Sequence, residues 1–329
     1  MTTLPIEPVS RPSQPRWQVL LGVDRSDRIY RQILTLFALA LPALMLVLLG
    51  VLFVSALPAL KRYGPSFLWT STWDPVKDVY GAAPMVFGTL ASSFLALLLA
   101  VPLALSVAIF LTEFSPRWLR QPVAFLVELL AAIPSVVYGV WGIFVLIPFL
   151  RSSVVPPLKS VLGWLPLFKG VFYGNSLLAG GIILAIMIVP YIAAVSREVL
   201  LAVPVSQREA ALAMGATRWE AVRSAVLPYG RAGLIGAIIL GLGRALGETM
   251  AVTMLIGNRH DIGVSLFAPA YTMAAAIANE FSEATTSLYL SALFEVGLIL
   301  FVVTVVVNAI ARWLIWRVAR GTAVGSRAL

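Results

Sequence analysis

The chain has 329 residues, of which 60% are hydrophobic and 12% charged, with a mean hydropathy of +0.94. A soluble globular domain carries about twice that charged fraction, so the composition excludes one and describes a polytopic membrane protein. No Cys and one His, His260, exclude a disulfide framework and a thiolate or histidine metal cluster; the net charge of +9 is dispersed among loops flanking apolar runs, which fits membrane topology and not nucleic acid.

Residues 1–32 are polar, with Pro5, Pro8, Pro12, Pro15 and five Arg, and lack the basic start and apolar core of a secretory signal. They read as a cytoplasmic tail, structureless to about residue 16. Six apolar runs follow, each long enough for the about 20 residues that cross the hydrocarbon, with spans expected at 33–57, 86–111, 122–150, 176–196, 232–256 and 288–313. The third holds Glu128 and a break at Pro134, the fourth carries no charge, and a Pro- and Trp-bearing loop, Arg151 to Lys169, is expected between them. The segment 257–287 reads as an external or re-entrant helical lobe, a surface suited to a solute-binding protein or else a plain connection. Placing both termini, the loop after the second span and the stretch 197–231 on one side collects 16 of the 24 Lys and Arg, so the positive-inside rule makes that side cytoplasmic.

Between the fourth and fifth spans stands a charged island, Ser206 to Pro228. Ser206 with Glu209 and Thr217 with Glu220 each have the capping-box spacing, Gly215 separates them and Pro228 follows. The expectation is two short amphipathic helices with a tight bend, the second ended by Pro228, presented to water as a docking element.

Glu128, Arg244, Glu248 and Glu295 are ionisable residues inside apolar runs. Insertion scales charge roughly 2.5 to 3.5 kcal/mol for Asp, Lys or Arg at mid-span, so such residues face inward. Arg244 and Glu248, four apart, share a helix face, and a rise of 1.5 Å per residue puts them about 18 and 12 Å below the outer end, with Glu295 about 10 to 12 Å deep. The expectation is that Arg244, Glu248 and Glu295 gather around a polar pathway, where the planar fork of Arg244 suits an oxyanion. The alternative is an ion pair that only fixes helix packing, and for Glu128 a structural role is the stronger reading. Gly243 and Gly247 are spaced for close helix packing, while Pro134 and the glycines also offer flex points. No G-x-x-x-x-G-K-[ST] and no G-x-S-x-G occurs, so this chain is expected to hold no ATPase site and no nucleophile elbow.

Glu209, Ala210, Ala211, Gly215, Leu227 and Pro228 resemble the EAA loop of ABC importer permeases, with Ala225 where that family usually has Ile. ELLAAIPSVVYGVWG (128–142) and LGRALGETMAVTMLIGN (242–258) are similar to the third- and fifth-span signatures of the phosphate-specific permeases of PstC type. The three stretches cover about fifty residues. The resemblance implies an all-α type I importer permease in a bacterial inner membrane. It implies a PstA-like sibling permease, two copies of a PstB-like ATPase that uses ATP and Mg, and a PstS-like phosphate-binding protein. It also implies that this chain binds no cofactor, that the EAA residues couple to the ATPase, and that Arg244 and Glu248 belong to the translocation path. The sibling permease itself, a sulfate or molybdate permease, and an ion-coupled secondary transporter remain alternatives; in the last, the island would have no purpose.

Overall fold

The computed structural model describes residues 23–323, and the expected structureless stretch before residue 16 lies outside them. The regular elements are helices: α1 Val23–Tyr63, α2 Ala83–Phe114, α3 Arg117–Ala132, α4 Ser135–Leu162, α5 Leu177–Leu201, α6 Val205–Ala213, α7 Arg218–Leu246, α8 Met250–Ile256, α9 Met273–Glu280 and α10 Ser287–Ala323. Among the described residues, α1, α2, α4, α5, α7 and α10 are long and apolar enough to cross a membrane. The chain up to Leu52 is a unit of its own, in its described part a helix with exposed apolar side chains; Phe53 onward forms the second unit, which holds the core.

That core is built on small residues. On α2, Pro84, Gly88, Ser92, Ala96, Ala100, Ala104 and Ala108 recur every fourth residue, and all are buried. Because lipid supplies no hydrophobic drive between helices, such a row stabilises by letting main chains approach and gain dispersion contact. Helix α5 packs against α2 more extensively than any other pair of elements, with Leu184, Ile188 and Ile192 in the same buried cluster. Gly88 permits no side chain, since a Cβ there would stand 2.0 Å from the Tyr271 carbonyl oxygen.

Two helices are broken within the bundle. The stretch expected as one span at 122–150 is two helices, α3 and α4, because Pro134 lacks an N–H and pushes Ile133 into an extended conformation (ψ 130°). Helix α4 then runs on to Leu162 through two wide π turns, so much of the expected 151–169 loop is helical. The stretch expected at 232–256 is likewise divided at Gly247–Thr249, between α7 and α8.

The charged island also departs from expectation. Thr217 and Glu220 form a full capping box, and Gly215 makes the bend at φ +86°. The Ser206–Glu209 box does not form: Pro204 occupies the cap position, the helix starts at Val205, and Ser206 falls inside the first turn. Nor does Pro228 end the second helix. The π turn Val222–Val226 precedes it, so Pro228 falls in the first turn of the regular stretch Leu227–Leu246, where its missing N–H is not required, and α7 continues to Leu246. Packing beside Ala225 is carried by the fully buried Val226, clustered with Leu200, Val203 and Leu234.

At the other end of the bundle the 257–286 lobe is built in rather than draped over. The Ser176, Leu177 and Leu178 amides donate to the Leu255, Ala268 and Leu266 carbonyls, and the Met273 amide donates to Thr89 Oγ1. Met273, Ala275 and Ala276 of α9 are fully buried in a cluster with Tyr80, Met85 and Leu293.

Candidate functional site

The two helix breaks meet at one side chain. Where α3 stops, the carbonyls of Leu130 and Ala131 lose their helical partners; Tyr138 Oη donates to the first at 2.8 Å and Tyr191 Oη to the second at 2.9 Å. The Tyr191 ring lies beneath the Arg244 guanidinium, 4.9 Å from it. Arg244 Nη2 reaches Glu248 Oε2 at 3.8 Å across the last turn of α7, a loose pair in which the carboxylate is almost wholly buried and the arginine side chain is 37% exposed. Non-helical backbone at membrane depth survives where protein or a cavity satisfies it, and here two tyrosines do so. A cation held by a ring and one distant carboxylate keeps most of its five donors for another anion.

The remaining expected site residues fall elsewhere. Glu295 is buried beside Leu293 and Val296 of the lobe-end cluster, its Oε2 has no hydrogen-bond partner, and no ion pair joins it to Arg244. The direct pair is thus Arg244 with Glu248, and Glu295 is bonded to neither. Glu128 is exposed on α3 and lines a shallow crevice with Arg197. Gly243 and Gly247 do not pack closely within the chain: a Cβ at Gly243 would meet nothing within 4 Å, and one at Gly247 only its own helix at 3.8 Å. The close approach is two residues earlier, on the opposite face of α7, at Gly241, where a Cβ would stand 2.5 Å from Ile192 Cγ1. Leu240 and Gly243 instead border a 620 Å³ groove with Thr304, Asn308 and Arg312 of α10, and Gly236, one turn before Leu240 on the same face, is also open.

Of the island residues, Glu209 and Ala210 are exposed on α6 and Ala211 is half-buried, while Leu227 is half-buried and Pro228 exposed on α7. What composition and spacing missed is the residue before them. Arg208 is turned inward and bound to Glu113 at the end of α2. Tyr191 was missed as well; its one sequence signal is a tyrosine beside Pro190 in an uncharged span.

At the lobe end, Glu280 accepts from Trp73 Nε1 at 2.6 Å and Tyr289 Oη at 2.8 Å, and His260 Nε2 lies 3.2 Å from its other oxygen. Burial alone would raise the Glu280 carboxyl, but hydrogen bonds from His260 and Tyr289 and the His260 charge outweigh it and hold it below the ordinary carboxylate value. His260 stacks on Trp73 with centroids 5.7 Å apart, above a polar 500 Å³ recess lined by Ser71, Thr72 and Asp261.

Residues 100–320 match the family described as binding-protein-dependent transport system inner membrane component. A phosphate transport system permease protein PstC of Mesorhizobium japonicum is 50% identical over 283 residues, 84% of this chain and 86% of the relative. The chain belongs to this permease family, PstC type. A PstC of Pasteurella multocida is 47% identical over 298 residues, 89% of this chain and 93% of its own length. The permease also shares its fold with a bacterial alginate ABC transporter solved with an alginate pentasaccharide-bound periplasmic protein (TM-score 0.58, 20% identity, 88% of this chain and 95% of that one). An inward-facing MetNI methionine ABC transporter structure matches at TM-score 0.51 and 21% identity, over 70% of this permease and 93% of that chain.

Proposed function

We propose that this permease is the PstC-type subunit of an ATP-driven importer of inorganic phosphate, forming half of the path and coupling it to an ATPase. The observation that carries this is a half-exposed Arg244 at the meeting of two helix breaks, in a chain half identical to PstC permeases. Arg244 contacts the anion as it passes, and Glu248 orients the guanidinium while keeping the empty site from holding phosphate too tightly. The Gly236–Leu240–Gly243 face receives the sibling PstA-like permease, so the path runs between the two chains. The exposed side chains of residues 205–217, Glu209 and Ala210 among them and the inward-turned Arg208 not, face the cytoplasm and dock on a PstB-like ATPase, which uses ATP and Mg; the 257–286 lobe faces outward toward a PstS-like phosphate-binding protein. Both termini are then cytoplasmic. This chain itself holds neither cofactor nor ATPase site. Glu128 and Glu295 serve packing or hydration of the bundle, and Pro134 serves the break it makes.

Uptake of radiolabelled phosphate at low concentration, in cells lacking the gene and in cells with it restored, tests the reading. Restored uptake that Glu209→Lys abolishes, with the variant present in the membrane, supports it. Equal uptake in all three strains, once redundant carriers are removed, refutes it.

A further inference from the structure

One side chain ties α6, the first helix of the charged island, to the ends of two bundle helices. Arg208 Nε lies 3.1 and 3.2 Å from the two Glu113 carboxylate oxygens, and Nη2 lies 2.8 Å from Oε1. The same guanidinium donates from Nη1 to the Val203 carbonyl at 2.6 Å and from Nη2 to the Leu200 carbonyl at 2.7 Å. Glu113 belongs to the π turn Phe110–Phe114 that closes α2, while Leu200 and Val203 mark the end of α5. Arg208 thus joins α6 to α2 and α5 at once. The pair is four-fifths buried or more, with side chains 20% and 13% exposed. A planar fork that meets a carboxylate bidentately fixes orientation as well as distance, which a lysine ammonium does not.

The covalent route from α6 into the bundle is compliant by comparison. It passes Gly215 in a left-handed conformation, then the π turn Val222–Val226, before α7 becomes regular. A force applied to α6 therefore meets a soft link toward α7 and a stiff one toward α2 and α5, the most extensively packed pair in the unit. Trp219 leaning on Phe114, centroids 6.4 Å apart, adds a second contact to the end of α2.

We infer that Arg208 is a positioning residue for coupling: through Glu113 and the end of α5 it delivers hairpin movement to the α2–α5 pair as a rigid unit. This rests on the reading that residues 205–217 dock on an ATPase. The role is distinct from that of Glu209, which faces outward from α6.

The test uses the full complex of permease, sibling, ATPase and binding protein in proteoliposomes, with phosphate moved per ATP hydrolysed as the readout. If the wild-type complex moves no phosphate, the parent reading fails and not this one. Arg208→Lys and Glu113→Gln are expected to keep ATPase binding and ATP hydrolysis while transport per ATP falls about tenfold, the scale of one lost charge-assisted hydrogen bond. Because this chain has no cysteine, Glu113→Cys with Arg208→Cys can be bridged by a short bis-methanethiosulfonate, each thiolate displacing a methanesulfinate to form a disulfide with the linker, and the bridge is expected to restore the ratio. An unchanged ratio in Arg208→Lys overturns the inference. If the single variants fail to assemble, the bridged pair decides: an assembled, coupled complex supports the inference, and an assembled but uncoupled one overturns it.

Discussion

Two glycines two residues apart on α7, and so on opposite faces of the helix, should respond to the same methyl group in opposite ways. At Gly241 the added Cβ would stand 2.5 and 2.6 Å from Ile192 Cγ1 and Cδ1, where ordinary contact begins near 3.4 Å. Ile192 is fully buried in the α2–α5 core, so its stiff β-branched chain has nowhere to swing and the helices must part. Overpacking of this kind costs about 1–3 kcal/mol. Gly241→Ala should therefore lower the stability of the purified permease by that amount in reversible unfolding in mixed micelles. Ile192→Ala removes the obstructing atoms, so the double variant should be less unstable than the two single losses added together, by about 0.5–3 kcal/mol of coupling. At Gly243 the methyl meets nothing within the chain, and alanine in place of helical glycine gains up to about 1 kcal/mol. Gly243→Ala should leave the isolated permease as stable as before or more so, yet weaken co-purification with the sibling permease if that face is the seam between them. Neutral behaviour of Gly241→Ala, or strict additivity with Ile192→Ala, would refute the packing argument. Undiminished assembly of Gly243→Ala would refute the seam.

Two further outcomes follow from the polar groups. Tyr191→Phe keeps the ring under Arg244 but strips the donor from the Ala131 carbonyl. Membrane hydrogen bonds average about 0.6 kcal/mol and reach about 1.7, so a loss in that range is expected in the same unfolding assay, and stability equal to wild type would argue against a role in holding the break. The Glu280 carboxyl is depressed in the folded lobe, so its contribution to stability is present above its ordinary value of 4.5 and lost as pH falls through the lower folded value. Hydrogen exchange across 257–286 should accelerate in acid below that point, and Glu280→Gln should remove the acid dependence; an unchanged acid profile in the variant would show that another group controls it.

What could be read without coordinates was whatever local chemistry decides. Apolar run lengths yielded six spanning helices, though not the bounds of the third, and Thr217 with Glu220 yielded a cap, because both depend on residues near in sequence. The Ser206 cap failed for a local reason too, since Pro204 two positions earlier took its place. The surroundings of Gly243 and Glu295 were illegible for another reason. A small-xxx-small spacing or a buried charge says that a residue faces something, and only the tertiary arrangement says what. Thus the internal seam uses Gly241 and Ala96 to Ala104, while Gly243 faces outward. Arg208 was hidden in the same way: its partner Glu113 is ninety-five positions away.

The α2 row of small residues bears on how this permease can evolve. Seven positions at a four-residue interval tolerate almost no increase in side-chain size, and Gly88 tolerates none. Variation in this helix should therefore gather on its opposite face, where Leu90, Phe94, Leu98 and Leu103 are exposed. One surface of α2 can follow the lipid composition of its host, while the other keeps the geometry that the α5 seam requires.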